Sequence, residues 1–299
     1  MRIATSKQGD YNLILISWNS FVPYFPPCKS LSQVITDESG SAQRSSRLSG
    51  RTVLIFGGSS GLGYGAAEAC IENGMAVVIA SSSEAKIDEA VQRLLKTYPS
   101  AGGRFPGHIC DLGDQATLEH NVLQLLEKVG KVDHIIYSAG DSVEALIQPL
   151  DQITTHSAIK SHIVRYLAPM MVSKHAKKYL TPGPYSSLTL TSGAITLRPI
   201  KDWVLANGVM SAVEGLTQAL ALELAPIRVN AVQPGVVATE MWDCLGEEAF
   251  ASMKANVEAN APTQRVAQPE DIANAYLYTL KDPNLTGAVI KTDSGNNLK

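Results

Sequence analysis

The sequence predicts an α/β fold, a doubly wound parallel sheet forming a single domain over residues 51–299. Three observations predict it: short apolar runs recur along the chain, helical stretches separate most of them, and the first run ends in a glycine-rich turn. Unbroken apolar runs belong to strands buried on both faces, which a parallel sheet covered by helices requires. In that architecture a ligand sits outside the carboxyl ends of the strands.

The elements follow in order. Residues 51–56 (RTVLIF) read as a strand, 66–73 as a helix closed by Gly74, and 75–80 (MAVVIA) as a second strand, together a βαβ unit. Further strands are expected at 104–110, 132–138, 187–191, 227–232 and 288–291. Val209, Val213, Leu216 and Leu220 recur at helical spacing, which predicts a core or subunit contact. A mixed segment with Met241, Trp242 and Leu245 precedes an expected helix at 247–260; those side chains suit either a substrate-covering surface or an ordinary amphipathic helix.

Composition bounds the function. The 299 residues are 45% apolar and 18% charged, and 25 basic against 28 acidic side chains give a net charge of −3. Disordered and fibrous classes are excluded. Without a long basic run, no nucleic-acid partner is expected. Cys28, Cys70, Cys110 and Cys244 are far apart and the six histidines form no ligand grouping, so neither a disulfide framework nor a metal site is predicted. A reducing, cytoplasmic setting fits. Residues 1–50 read as a flexible extension: the apolar run 13–18 is far below the ~20 residues of a membrane span, and 39–50 is a Ser/Arg/Gly-rich linker.

The turn Gly57-Gly58-Ser59-Ser60-Gly61-Leu62-Gly63 lies between a strand and a helix, where an anion is held. Gly57 permits the tight turn, Gly61 lets backbone N–H groups approach a pyrophosphate, and Gly63 allows close helix–strand packing. The helix N-terminus adds positive potential. A ligand-free flexible turn is the plainer alternative.

These glycines, with Cys110-Asp111-Leu112, Tyr137-Ser138-Ala139-Gly140, Thr191-Ser192-Gly193, the run 228–235 (RVNAVQPG) and Asp293-Ser294-Gly295, resemble the short-chain dehydrogenase/reductase (SDR) family in order and spacing. The resemblance covers about 250 residues and implies a Rossmann-type domain. It further implies that Asp111 contacts adenine, that Ala139 and Gly140 lie beside the ribose, and that Pro234, Gly235 and Thr239 flank a nicotinamide. Homo-oligomers are common among such proteins, and one is expected here. The second strand ends in Ala80-Ser81-Ser82-Ser83, with no acid to bind a free 2′-hydroxyl. Ser81, Ser82 and the nearby Lys86 therefore favour NADP(H), while NAD(H) stays compatible with a solvated strand end.

The catalytic pattern departs from the family. Its members carry a Tyr-x-x-x-Lys pair, whose phenol transfers a proton and whose ammonium lowers the phenol's pKa. No tyrosine of this chain has a lysine four residues on. Alignment on Ser192 and on Glu214-Gly215-Leu216-Thr217 puts Ala206 and Met210 at those places, and puts Arg165 near the family's helix asparagine. Candidate catalytic residues are Ser192, Arg165 and Asp202. Arg165 supplies fixed charge but no proton. Asp202 pairs with Arg165 or orients a cation, unless it is simply the N-cap of the following helix. Ser192 has its own plain alternative, a hydroxyl satisfied by strand-end backbone.

The expected function is an NADP(H)-dependent oxidoreductase with a non-standard site, acting on a small apolar or heterocyclic metabolite, an imine or activated carbonyl, in a secondary-metabolite pathway. A non-redox cyclase or isomerase on the same scaffold and an inactive cofactor-binding regulator are the alternatives.

Overall fold

A computed structural model describes residues 47–101 and 105–298. The predicted extension 1–46 lies outside the described residues. Residues 47–50, assigned to that extension, instead form a turn with Leu48 only 1% exposed in the core.

Seven parallel strands form one sheet: β1 (Thr52–Phe56), β2 (Ala76–Ser81), β3 (Gly107–Ile109), β4 (His134–Tyr137), β5 (Ser187–Thr191), β6 (Arg228–Pro234) and β7 (Val289–Thr292), in the order β3-β2-β1-β4-β5-β6-β7. The helices are α1 (Gly61–Glu72), α2 (Glu84–Thr97), α3 (Leu118–Val129), α4 (Thr155–His162), α5 (Ala168–Tyr179), α6 (Val204–Glu223), α7 (Glu247–Asn260) and α8 (Pro269–Lys281). Alternation along each strand divides the core. Val53, Ile55, Val77 and Ile79 face α1, α2 and α8, whereas Leu54, Phe56, Ile135 and Leu188 face α3, α5 and α6. Both sheet faces are thus covered, which is why the strands read as continuous apolar runs.

Three predicted boundaries shift. β3 is only three residues long, against seven expected for 104–110. β6 runs two residues further, to Pro234. α1 begins at Gly61 rather than 66. Its early glycines have low helix propensity, but packing demands them: a Cβ on Gly65 would lie 2.9 Å from Pro269 Cβ, where α1 crosses α8. The stripe on α6 behaves as predicted, with Val209 and Val213 buried and Leu216 and Leu220 packed on the core.

The chain order reverses between β1 and β4, which opens a crevice at their carboxyl ends. At the other end of the sheet, the buried Arg228 guanidinium donates to the Thr279 and Leu280 carbonyls, satisfying the C-terminal turn of α8. Near it, His134 is fully buried, and burial together with the Arg228 charge pushes its pKa down to about 3. The folded state therefore holds His134 neutral while the unfolded chain takes up a proton below about 6.5. Stability is complete above that pH and falls toward pH 3, by at most ~1.4 kcal/mol per pH unit for this group. His134→Gln is expected to narrow the difference in unfolding free energy between pH 7 and pH 5, measured by denaturant titration.

Candidate active site

The glycine turn is built by close packing. Gly57 has φ +78°, and a Cβ there would lie 2.7 Å from Ala139 N; a Cβ on Gly63 would meet the Gly57 carbonyl at 2.2 Å and Ser138 Oγ at 2.4 Å. Any side chain at either position would push the turn away from the end of β4. Gly61, at φ +49°, is different: the atoms nearest its Cβ would be Thr239 Cβ and Cγ2 at 3.4 Å and Glu240 Oε2 at 3.6 Å. It faces the segment after β6 instead of the sheet. Ser60 is the N-cap of α1 yet makes no side-chain cap bond, so that oxygen does not occupy the first-turn N–H groups. A glycine cradle opening onto a helix N-terminus that its own N-cap side chain leaves unbonded fits a dinucleotide pyrophosphate.

The other residues assigned to the cofactor stand around this turn. Ser59 is buried, and its hydroxyl donates to Ser81 Oγ at 2.9 Å, tying the turn to the end of β2. Ser82 is exposed beyond it, and Ser83 caps α2 by accepting the Lys86 N–H. Leu112 is buried, while the exposed Asp111 accepts the Gly113 N–H through one carboxylate oxygen. Gly235 continues β6 by donating to the Thr292 carbonyl, and its Cβ would lie 2.8 Å from Asp293 Cα. Thr239 is the N-cap of a short 3-10 helix, Glu240–Leu245, that lies over Gly61.

Arg165 sits in a π-helical turn, Ile163–Leu167, between α4 and α5. Its cause is in the sequence. Pro169, four residues on, lacks the N–H that would bond the Arg165 carbonyl and its ring would clash with that oxygen; a π-turn relieves both. Tyr137 supplies a further tie by donating its phenol to the Val164 carbonyl. The guanidinium lies flat against Gly140, where an added Cβ would fall 2.4–2.6 Å from Nη1, Cζ and Nη2. Nη2 donates to the Asp141 carbonyl at 2.6 Å and lies 3.8 Å from Met241 Sδ; Nε is sealed from solvent with no partner among the described residues. Burial lowers the Arg165 pKa, opposed by the Asp141 and Tyr137 charges, and burial raises that of Asp141. The side chain remains a cation at neutral pH.

Ser192 is buried, and its hydroxyl is held at 2.8 Å by Glu214 Oε1, with the Met210 carbonyl at 3.2 Å. The nearer partner is thus a helix carboxylate, not the strand-end backbone that is the plain alternative to a catalytic role. The same Glu214 oxygen accepts from Thr196 Oγ1 at 2.9 Å and Gln233 Nε2 at 2.6 Å. Glu214, Thr196 and Gln233 were not singled out in the sequence, because a glutamate within a helix reads as solvated. The buried Gln233, near the end of a strand, was the available signal.

Asp202 requires a correction: Trp203, not Asp202, is the N-cap of α6. Asp202 takes φ 67°, a left-handed conformation that ends the loop one residue earlier. Its carboxylate forms no hydrogen bond or ion pair among the described residues, so the anticipated pair with Arg165 is not formed. The segment after β4 nevertheless reaches both residues, Asp141 accepting from Arg165 and Gln148 N–H donating to the Asp202 carbonyl. Of the three side chains expected to form an apolar surface, Met241 is exposed and Leu245 half-buried. Trp242 is buried, its ring nitrogen donating to the Val237 carbonyl and its ring centroid 6.4 Å from that of Trp203. Ala206 and Met210 are both buried on α6. The phenols nearest the strand ends are committed elsewhere: Tyr137 to Val164 and Tyr276 to Thr191, with burial raising both pKa values.

Fold and glycine cradle define a Rossmann-type dinucleotide-binding protein. Residues 44–299 match the family described as SDR-like Rossmann domain. The chain belongs to the short-chain dehydrogenase/reductase family. It is 37% identical to the short-chain dehydrogenase/reductase fsr5 of Gibberella fujikuroi, over 84% of this chain and 96% of that one. It is 39% identical to malC of Malbranchea aurantiaca, over 83% and 95%. The solved structure of the MalC reductase/Diels-Alderase superposes with a TM-score of 0.79 at 37% identity, covering 86% of this chain and 100% of that one. A small-chain dehydrogenase solved in complex with NADPH gives a TM-score of 0.66 at 25% identity, covering 84% and 100%. Among the described residues no helix is long and apolar enough to cross a membrane.

The Glu214 network gives a stability test. Glu214→Ala removes the shared acceptor of three donors, of which Ser192 keeps the Met210 carbonyl and Gln233 the Thr196 hydroxyl while Thr196 is left without one; Ser192→Ala removes a single donor. Denaturant unfolding is expected to show a loss of about 2 kcal/mol for Glu214→Ala and about 1 kcal/mol for Ser192→Ala.

Proposed function

We propose that the chain is an NADP(H)-dependent oxidoreductase that delivers hydride to the C=N carbon of a cyclic iminium, or to an activated carbonyl, in a small apolar or heterocyclic metabolite of a secondary-metabolite pathway. One observation carries the reading: a guanidinium is fixed on Gly140 and Ser192 is bound to a carboxylate, in a chain where no tyrosine has a lysine four residues on. When bound, the nicotinamide supplies the hydride. A neutral ketone receiving it becomes an alkoxide that needs a proton. Arg165 does not release one at working pH, and the Ser192 hydroxyl proton is held by Glu214. An iminium is already cationic and leaves as a neutral amine, so no acid is required.

In this reading Arg165 donates to a carbonyl or amide oxygen of the substrate and stabilises negative charge there. Ser192, whose hydroxyl donates to Glu214, orients the substrate as an acceptor. Asp202, free of a capping role, faces the cationic end. NADP(H) is favoured by Ser81 and Ser82 without an acid at the end of β2, and by the likeness to a dehydrogenase solved with NADPH. A homo-oligomer is favoured by the partly exposed Met170, Met171 and Leu220 on α5 and α6.

The test is oxidation of NADPH and NADH by the full chain, offered a cyclic iminium or a simple ketone. NADPH with the iminium is expected to be the productive pair, and Arg165→Met is expected to lower the rate on an activated carbonyl by about 10²-fold, the scale of one lost oxyanion-type donor, with a smaller effect on the iminium, where no oxyanion develops. Equal turnover of the ketone would overturn the reading. Asp202→Asn keeps the left-handed backbone, which asparagine tolerates, and is expected to raise KM for the iminium about tenfold with little change in stability; an unchanged KM would remove Asp202 from the site.

Catalysed ring formation without redox change is the second reading, favoured by the likeness to a protein described as a reductase/Diels-Alderase. Product appearing at constant nicotinamide absorbance would identify it. A cofactor-binding regulator would instead bind dinucleotide and turn over neither substrate class.

A further inference from the structure

The carboxylate of Glu240 lies on the anion position of the glycine turn. Gly61 N–H, the first of α1, donates to Glu240 Oε2 at 3.1 Å. The helix's own N-cap side chain leaves its first turn unbonded, so this acceptor arrives from 179 residues away in sequence. Thr239 accompanies it, both residues lying 3.4–3.6 Å from the position of a Cβ on Gly61. A carboxylate at a helix N-terminus is electrostatically favoured, and the group that a dinucleotide would bring there is also an anion. The two compete for the same N–H.

We propose that Glu240 is a determinant of cofactor affinity: its carboxylate stands in for the pyrophosphate and must leave before a dinucleotide seats. This rests on the reading that the turn binds a dinucleotide, and it extends to the reaction site. Glu240 opens the 3-10 helix whose next residue, Met241, places its sulfur 3.8 Å from Arg165 Nη2. Withdrawal of Glu240 therefore also loosens the contact that Met241 makes with Arg165. Cofactor binding and exposure of the guanidinium to substrate are then one event.

Calorimetric titration of the full chain tests this with two probes. NADPH carries the pyrophosphate; adenosine 2′-monophosphate carries the adenine and 2′-phosphate without it. Glu240→Gln is expected to bind NADPH roughly three- to tenfold more tightly than wild type, the scale of a removed charge at a helix terminus. Adenosine 2′-monophosphate is expected to bind both proteins equally. Raising the salt concentration should narrow the NADPH difference, because the competing charge is exposed. Glu240→Ala, with no acceptor at all, should shift affinity in the same direction. Wild-type binding of NADPH with unchanged or weaker binding by both variants overturns the proposal and leaves the cofactor reading standing. Equal tightening of both probes also overturns it, since the effect would then be a general one of net charge. Binding of NADPH by none of the three proteins removes the cofactor reading and this proposal together.

Discussion

Close approach of the β1–α1 turn to the end of β4 is the constraint on which the rest of the structure depends. With Gly57 at φ +78° and Gly63 pressed on the Gly57 carbonyl, the turn has no room for a side chain. The same packing points the first turn of α1 at the crevice where the strand order reverses. From there the carboxyl ends of β4, β5 and β6 fan outward. Each delivers one part of the candidate site: Gly140 beneath Arg165, Ser192 on Glu214, and Gly235 leading to the Thr239–Glu240 segment. Parallel strands in register make this convergence automatic, because all their carboxyl ends lie on one side of the sheet.

Charge is distributed unusually around that crevice. Two charged side chains stand there: a guanidinium braced on the Asp141 backbone and a carboxylate whose Oε1 accepts three hydrogen bonds. Such groups suit a reaction whose substrate brings its own positive charge or whose product needs no proton. Met241 links the two halves, since its segment touches the glycine turn at one end and Arg165 at the next residue.

The sheet was legible because buried parallel strands write themselves as apolar runs, and the glycine turn because its conformational demands admit few residues. What escaped had physical reasons. α1 starts among glycines that local propensity rejects and that helix packing requires. Asp202 looks like a cap until the left-handed turn hands that position to Trp203. The π-turn follows from the spacing of Arg165 and Pro169, a pairing that reads as ordinary helix unless the carbonyl four residues before a proline is examined. Glu214 is a long-range acceptor, and its donors come from β6 and the loop after β5, which no local pattern connects.

The central claim is that hydride transfer at this site proceeds without a titrating protein acid. Its most direct test is the single-turnover rate of NADPH oxidation with a permanently charged N-alkyl cyclic iminium, followed from pH 6 to pH 9. A flat profile is expected, since a guanidinium stays protonated across this range and burial raises the pKa of the Tyr137 and Tyr276 phenols above their ordinary value. A rate that falls with a single ionisation inside that window would reveal a protein acid and contradict it.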